Sequence, residues 1–339
     1  MTQTWFAFVA VAVAFFLTAA MRRYALSRSL VDIPNARSSH VMPTPRGGGV
    51  AIVVTFLLAL GGLIYFDLIS LPVFAACAGA GTIVAMIGFL DDHGHIDARW
   101  RLLGHFLAAA WALYWLGGLP AVNVFGTVLE LGWIGTVLAL LYLVWMLNLY
   151  NFMDGIDGIA GVEATSVCFA ACLLYALSGQ IGSIWAPLML GAAVAGFLFW
   201  NFPPARIFMG DAGSGFLGLM FGVLSLQAGW VSAPLLWAWL ILLGVFVVDA
   251  TLTLIRRLIR GDKVYEAHRS HAYQFASRRF GKHLPVTLAV GLINLCWLLP
   301  IALCVTLYGL DGTIGLLLAY SPLLVLAWVF NAGELEGPP

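Results

Sequence analysis

Two amides and two carboxylates recur at intervals of three residues, and long apolar runs lie on both sides of them. They are Asn148, Asn151, Asp154 and Asp157. Polar groups beside a membrane are costly to bury, so we expect these four to line a site. Gly155 and Gly158 predict that one helix ends near Met153 and the next begins near Ile159. Both amides then lie on the last helical turn, and both carboxylates on the connector. Helix capping explains one of the acids but hardly all four positions.

A second acidic pair, Asp91 and Asp92, lies where an apolar run ends. Adjacent carboxylates repel each other unless a cation or a shared proton lies between them. A hard, oxygen-ligated ion such as Mg²⁺ suits the pair, and one of the two can serve as a general base. The alternative is a solvated acidic helix end, which is common for single acids.

Asp211 is followed by a turn of small residues that opens another apolar run. The start of a helix with such a turn favours an anion or a metal-bound phosphate. A single Asp at this position is more often a helix N-cap. Because the other acids are predicted on the same face, Asp211 becomes a candidate metal ligand.

Basic residues and glycines precede the second apolar run. Gly47, Gly48 and Gly49 are more typical of close backbone packing in a membrane than of an anion site. Arg37, His40 and Arg46 are close in sequence, and they shift the prediction towards phosphate binding.

The connection 256–285 is the only one long enough to contain its own helix, and it includes His268, Arg269 and His271. Two histidines three residues apart beside an arginine favour a diphosphate or a metal. A basic amphipathic segment on the anionic leaflet of the membrane is an equally good interpretation. Just before this connection, we expect Asp249 to form an ion pair with the arginines that follow it, rather than to act in catalysis.

The composition identifies the class of protein, because 62% hydrophobic and only 9% charged residues exclude a soluble chain of 339 residues. We predict an all-α, polytopic membrane protein with about eleven transmembrane helices. The predicted windows are 4–21, 48–66, 71–90, 102–118, 132–149, 159–178, 184–200, 213–229, 233–255, 286–307 and 312–330. Residues 1–331 form a single domain in this prediction, and the tail 332–339 is predicted to be disordered.

The distribution of charge predicts the topology. All 16 Lys and Arg residues fall on odd-numbered connections between these windows. By the positive-inside rule those connections are cytoplasmic, so the N-terminus is periplasmic and the C-terminus cytoplasmic. The site residues then lie on the cytoplasmic face of the membrane.

Taken together, the motifs resemble those of the polyprenyl-phosphate N-acetylhexosamine-1-phosphate transferases, a family that includes the phospho-N-acetylmuramoyl-pentapeptide transferase of peptidoglycan synthesis. The resemblance spans most of the chain. It rests on residues 46–49, 91–92, 148–158, 201–214 and 249–257. It implies transfer of a sugar 1-phosphate from a UDP-sugar to undecaprenyl phosphate, with release of UMP. That reaction would start a surface polysaccharide such as the O antigen of lipopolysaccharide.

The resemblance also implies roles for individual residues. It assigns metal binding to Asn151 and Asp211, with Mg²⁺ as the ion and Mn²⁺ as an alternative. Catalytic positions are Asp91, Asp92, Asp154, His268 and His271. Substrate-binding positions are Arg46, Asn148, Gly155, Asp157, Asn201, Arg206, Phe208 and Arg269. The two histidines depart from the family pattern, because Arg269 and Ser270 separate them.

Two other functions fit the same sequence. A proton-coupled transporter would also have many helices and buried acids, but its polar groups should lie near the middle of the membrane. A membrane-anchored phosphatase would use water rather than a lipid acceptor. We expect the bilayer as a partner, no nucleic acid partner, and a homodimer as one option for assembly.

Overall fold

A computed structural model describes residues 5–34, 42–94, 96–263 and 268–335. In these ranges the secondary structure is helical apart from two antiparallel pairs of short strands, which the all-α prediction did not include. The strands are β1 Val31–Asp32, β2 Thr44–Pro45, β3 Val122–Val124 and β4 Thr127–Leu129; β1 pairs with β2, and β3 with β4. The helices are α1 Trp5–Ser27, α2 Gly49–Tyr65, α3 Leu71–His93, α4 Ala98–Leu116, α5 Gly132–Met153, α6 Ile159–Leu177, α7 Trp185–Asn201, α8 Asp211–Val231, α9 Ala233–Leu242, α10 Gly244–Arg260, α11 Ala272–Phe280, α12 Leu284–Ile293, α13 Leu299–Leu307 and α14 Gly312–Val329. A 3₁₀ turn, Ile181–Ser183, precedes α7, and a π-helical turn, Asn294–Leu298, joins α12 to α13.

Every predicted apolar window contains a helix or a pair of helices. The window 233–255 divides into α9 and α10, which are bent by 68° relative to each other. In the described parts of the chain, eight helices are long and apolar enough to cross a membrane, or nine if the bent pair is one span. The protein is therefore a multi-pass membrane protein. The number eleven and the orientation stay predictions.

The connections contact one another in two separate groups. On one side, the Phe208 amide donates to the Pro45 carbonyl over 2.8 Å, and an Arg46 guanidinium nitrogen lies 2.5 Å from the Asp92 carbonyl oxygen. On the other side, the Gly126 amide donates to Asp311 over 3.1 Å. The connections that carry Lys and Arg therefore gather at one end of the bundle, which we call the basic end.

Helix α8 lies at the centre of the bundle, and its residues from Ala212 to Leu226 are buried. Close packing needs small side chains here, because a Cβ at Gly218 would lie 2.3 Å from the Met146 carbonyl oxygen in α5. Helix α3 packs against another side of α8. Since α8 begins at Asp211, this packing fixes that residue between the ends of α3 and α5.

The connection 256–285 contains the helix that its length predicts, α11. The start of the tail is ordered, contrary to the prediction for 332–339. Ala332 is fully buried, its carbonyl accepts from Arg256 over 2.7 Å, and the Gly333 amide donates to the Ser270 carbonyl over 2.7 Å. Hydrogen bonds to two neighbouring segments thus hold residues that their composition alone suggested would be mobile. Residues 336–339 lie outside the described residues.

Candidate active site

A small cavity of about 60 Å³ with both polar and apolar lining residues lies at the basic end. Helices α3, α4, α5 and α8 contribute its polar lining residues, which are Asp91, Arg101, His105, Asn148, Asn151 and Asp211. The structure therefore brings together four of the residues that the sequence predicted for one site.

Arg101 connects two of the acids in this cavity. Its Nη1 atom lies 2.5 Å from Asp91 Oδ2 and 3.8 Å from Asp211 Oδ2. The other carboxylate oxygen of Asp91 accepts from the Ile96 amide over 2.9 Å. A cation from α4 thus lies between carboxylates from α3 and α8.

Asp92 has different partners from Asp91. Its carboxylate accepts from the backbone amides of Asp211 and Ala212, each over 3.3 Å. The two adjacent acids therefore have separate partners among the described residues, and a metal ion bound to the pair stays a prediction. Repulsion is relieved because Arg101 neutralises one carboxylate and the start of α8 binds the other.

The two amides of α5 lie on its last turns, as predicted. Asn148 Nδ2 donates to the Val144 carbonyl over 2.7 Å and lies 3.5 Å from His105 Nδ1. Asn151 Nδ2 lies 3.2 Å from Ser214 Oγ in the first turn of α8, and Asn151 also interacts with the Asp211 carboxylate. Asn151 and Asp211 are thus close enough to act on one bound group.

Asp154 lies on the connector just below this cavity. Burial raises the pKa of Asp154 well above its usual range, and the negative charges of Asp211, Asp92 and Asp157 raise it further. Such a concentration of like charge favours a bound cation, which would stabilise the ionised acids.

These side chains suit Mg²⁺ only if a bound substrate supplies further oxygen ligands. Within the described ranges, no three His, Cys, Asp or Glu side chains come close enough to hold one metal ion. Mg²⁺ commonly takes one or two protein carboxylates, and it completes its shell with phosphate oxygens and water. Asp211 and Asn151, with Asp91 in the same cavity, are oxygen donors of that kind.

Asp157 and Asn201 form a second cluster that holds the connector in place. The Asp157 carboxylate accepts from the Ala205 amide over 3.0 Å and lies 3.2 Å from His283 Nδ1. The buried Asn201 accepts from the Gly158 amide over 3.1 Å and donates to the Ile207 carbonyl over 3.0 Å. These contacts join the connector to the 202–210 segment, outside the acidic cavity.

The glycine segment makes backbone contacts with the Phe208 region. The Gly48 amide donates to the Phe208 carbonyl over 2.9 Å, and the Gly49 amide to the Met209 carbonyl over 2.8 Å. These two amides are therefore committed to protein partners rather than to an anion. Arg206 is exposed beside them, and its carbonyl accepts from Arg22 over 3.1 Å. Arg37 and His40 lie outside the described residues.

The histidine segment lies against the same connector. The rings of His268 and His271 stack with their centroids 4.9 Å apart. Next to them, the Tyr273 hydroxyl donates to the Phe152 carbonyl over 3.0 Å. A Cβ at Gly155 would lie 2.1 Å from that hydroxyl oxygen, so only glycine fits there. Arg269 precedes α11, and its carbonyl accepts from Arg278 over 3.2 Å.

The interpretation of Asp249 as the partner of the following arginines is wrong. Its buried carboxylate accepts from the amides of Ala272 and Tyr273 over 2.9 and 3.0 Å, and it lies 3.3 Å from His271 Nδ1. Arg256 and Arg257 pair instead with Glu334 and Asp262. The amides at the start of α11 give this acid better partners than side chains about two turns further along its own helix.

Three residues near the site were not predicted as candidates. Arg101 and His105 line the cavity, and His283 contacts Asp157. The sequence does contain a signal for Arg101 and His105, because residues four apart share one face of a helix. No local pattern marks His283, which comes close to Asp157 only through the packing of α12 on α6.

Comparisons with known proteins show which family the sequence resembles. Residues 74–229 match the profile of glycosyl transferase family 4. The chain is 30% identical over 264 residues to a probable undecaprenyl-phosphate N-acetylglucosaminyl 1-phosphate transferase of Bacillus subtilis, covering 76% of this chain and 72% of the relative. It is 32% identical over 328 residues to the decaprenyl-phosphate N-acetylglucosaminephosphotransferase of Mycolicibacterium smegmatis, covering 83% and 78%. It is also 25% identical over 221 residues to the phospho-N-acetylmuramoyl-pentapeptide-transferase of Streptococcus thermophilus, covering 60% and 63%.

Proposed function

Because the chain belongs to glycosyl transferase family 4, we propose that it transfers an N-acetylhexosamine 1-phosphate from a UDP-sugar to undecaprenyl phosphate. An oxygen of the lipid phosphate forms a bond to the sugar-bearing phosphorus, the diphosphate P–O bond breaks, and UMP leaves. The observation that carries the proposal is the cavity that unites Asp91, Arg101, Asn151 and Asp211. Its arginine can contact a diphosphate directly, and its oxygen atoms can bind a metal ion that the diphosphate also binds.

Positive charge matters more in this reaction than removal of a proton. A phosphate monoester carries about −1.5 to −2 charges at pH 7, so the attacking oxygen of the lipid phosphate is already largely ionised. Arg101 is the cation in the cavity, and its contact with Asp91 holds it there. In this proposal, Arg101 binds phosphate oxygens, and Asp91 keeps its guanidinium in position.

We assign Asp211 and Asn151 to a Mg²⁺ ion, with Mn²⁺ as an alternative. When bound, the ion withdraws negative charge from the diphosphate. The residues of the chain then orient the two substrates. Asp157 and Asn201 fix the connector, and Phe208 and Arg206 lie on the neighbouring segment, where the uridine is proposed to bind. The proposal places this site on the cytoplasmic face of the inner membrane and makes the product the first lipid-linked sugar of a surface polysaccharide.

The test uses purified protein, UDP-N-acetylglucosamine labelled in the sugar, undecaprenyl phosphate and Mg²⁺. We expect label in the organic phase and an equal amount of UMP. Chelation of divalent ions should stop the reaction, and added Mg²⁺ should restore it. Release of inorganic phosphate from undecaprenyl phosphate would instead identify a phosphatase, and free sugar phosphate with UMP but no lipid product would mean that water is the acceptor. Uptake of uncleaved UDP-sugar into vesicles would identify a transporter.

The matched pair of variants is Asp211→Asn and Asp97→Asn. The first removes charge from the proposed metal ligand and should abolish turnover in a folded protein. Asp97 is an exposed acid paired with Arg99 near the same end of the bundle, so its variant should stay active. Full activity of Asp211→Asn at saturating Mg²⁺ would refute the metal assignment.

A further inference from the structure

A polar cluster lies between α6 and the π-helical turn, away from the cavity described above. Glu163 and Asn294 are both essentially fully buried, at 0% and 1% exposure. Asn294 Nδ2 donates to Glu163 Oε2 and to Ser166 Oγ, each over 2.7 Å. A carboxyl group within an apolar helical bundle is rare enough to require an explanation.

Two oxygen atoms of this cluster have no hydrogen-bond partner. They are Glu163 Oε1 and Asn294 Oδ1, and both are buried. An ionised carboxylate and an amide oxygen are both acceptors only, so neither can satisfy the other. Native proteins rarely leave such atoms unpaired. One donor shared by the two oxygens would satisfy both.

Within the described residues, no positively charged side chain takes that place. Apart from burial, the group acting on Glu163 is the Asn294 amide, and none of the described Lys and Arg residues forms an ion pair with it. Tyr150, a neighbour on α5, donates its hydroxyl hydrogen to the Ala160 carbonyl. An ionised Glu163 would therefore be a buried, uncompensated negative charge.

We propose that Glu163 is a proton-binding site within the membrane domain. The proton sits on Oε1 and is donated to Asn294 Oδ1, while Oε2 accepts from Asn294 Nδ2. A carboxylic acid and a carboxamide joined in this way form a closed ring of two hydrogen bonds. The ring satisfies both unpaired oxygens and leaves the cluster neutral.

The pair joins α6 to the helix that supports the candidate active site. Thr287 of α12 donates to the Asp157 carbonyl over 2.8 Å, and His283 just before α12 lies beside the Asp157 carboxylate. Asn294 follows directly after α12. A neutral link between Glu163 and Asn294 therefore fixes α12 against α6 without placing net charge in the bilayer. The proton site itself does not depend on which reaction the protein catalyses.

Infrared difference spectroscopy of the purified full-length chain in lipid at pH 7 tests the proposal. Wild type minus Glu163→Gln should contain the C=O stretching band of a protonated carboxylic acid, and the band should move to lower frequency in D₂O. Carboxylate bands in its place would overturn the proposal, because they would mean an ionised Glu163 whose oxygens bind water or a small cation.

Thermal unfolding of three variants gives a second test. Glutamine can donate Nε2–H to Asn294 Oδ1 and accept from Nδ2, so Glu163→Gln should unfold close to the wild-type temperature. Glu163→Leu and Asn294→Leu should both unfold well below it, because each leaves one buried partner unpaired. The proposal is wrong if Glu163→Gln fails to fold or unfolds as early as Glu163→Leu. Either result would mean that a neutral hydrogen-bond donor at this position does not stabilise the fold.

Discussion

The Asp92 carboxylate caps the helix that starts at Asp211, through contacts of 3.3 Å to the Asp211 and Ala212 amides. One of two adjacent acids therefore positions a candidate metal ligand, and the other faces the cavity. We predict that Asp92→Ala lowers both thermal stability and activity, because caps of this kind typically contribute ~0.5–2 kcal/mol. Asp92→Asn keeps an acceptor oxygen and should lose less of both. Equal losses in the two variants would show that the charge of Asp92, not its capping contact, is what matters.

Asp91 and Arg101 should behave as one functional unit, because their side chains are 2.5 Å apart in the cavity. We predict that Asp91→Asn and Arg101→Gln each lower kcat, with a loss of ~10²–10³-fold if the pair stabilises negative charge in the chemical step. The double variant should be little worse than either single one, since each substitution already releases the other partner. Measurements of kcat and KM for the four proteins decide this. Multiplicative losses would mean that the two residues act independently.

The sequence predicted the acidic site better than the contacts within it. Gly155 and Gly158 correctly predicted that one helix ends at Met153 and the next begins at Ile159. The pattern carries no information on which acid caps a neighbouring helix, because that depends on how α3 meets α8. Residues far apart in sequence, such as Asp157 and His283, come together only by packing. The bend between α9 and α10 was also missed, since the apolar run continues across it from Leu235 to Val248.

Asp249 should act through the segment that it caps. We predict that Asp249→Asn lowers the melting temperature and weakens activity, because an amide cannot accept from the Ala272 amide, the Tyr273 amide and His271 with the same strength. Arg256→Gln is the control for the ion-pair interpretation. It should leave the position of α11 unchanged, because Arg256 contacts Glu334 and the Ala332 carbonyl instead. Protection of α11 amides from hydrogen exchange measures this, and equal loss of protection in both variants would contradict the assignment.

His268 should make stability depend on pH in a defined direction. Burial, together with the charges of His271 and Arg257, lowers the pKa of His268 to about 3. Between about pH 6.5 and 3, the unfolded chain binds a proton here that the folded chain does not, so stability falls as the pH falls. We therefore predict that the melting temperature of His268→Gln decreases less steeply than that of wild type from pH 7 to pH 5. A wild-type protein that gains stability relative to the variant at pH 5 would show that His268 is protonated in the fold.

The connection 256–285 should determine which sugar is accepted, because the uridine and diphosphate of every candidate donor are identical. The other connections at the basic end contain the residues that line the acidic cavity or hold its neighbouring segments in place. Within 256–285, however, several residues are committed to the fold: Tyr273 donates to the Phe152 carbonyl, and Gln274 accepts from the His271 amide. A graft should therefore exchange only 262–270, from a relative that uses a different UDP-N-acetylhexosamine.

We predict that this graft changes donor preference, with kcat/KM measured for a panel of UDP-sugars. A site built to bond one hydroxyl can reject an analogue that lacks it by ~10⁴-fold or more, so a few residues suffice. The control exchanges 278–282, which is exposed at the end of α11 and should leave preference unchanged. If the 262–270 chimaera is active but keeps its original preference, another connection binds the hexose. The 202–210 segment beside the proposed uridine position would then be the next one to exchange.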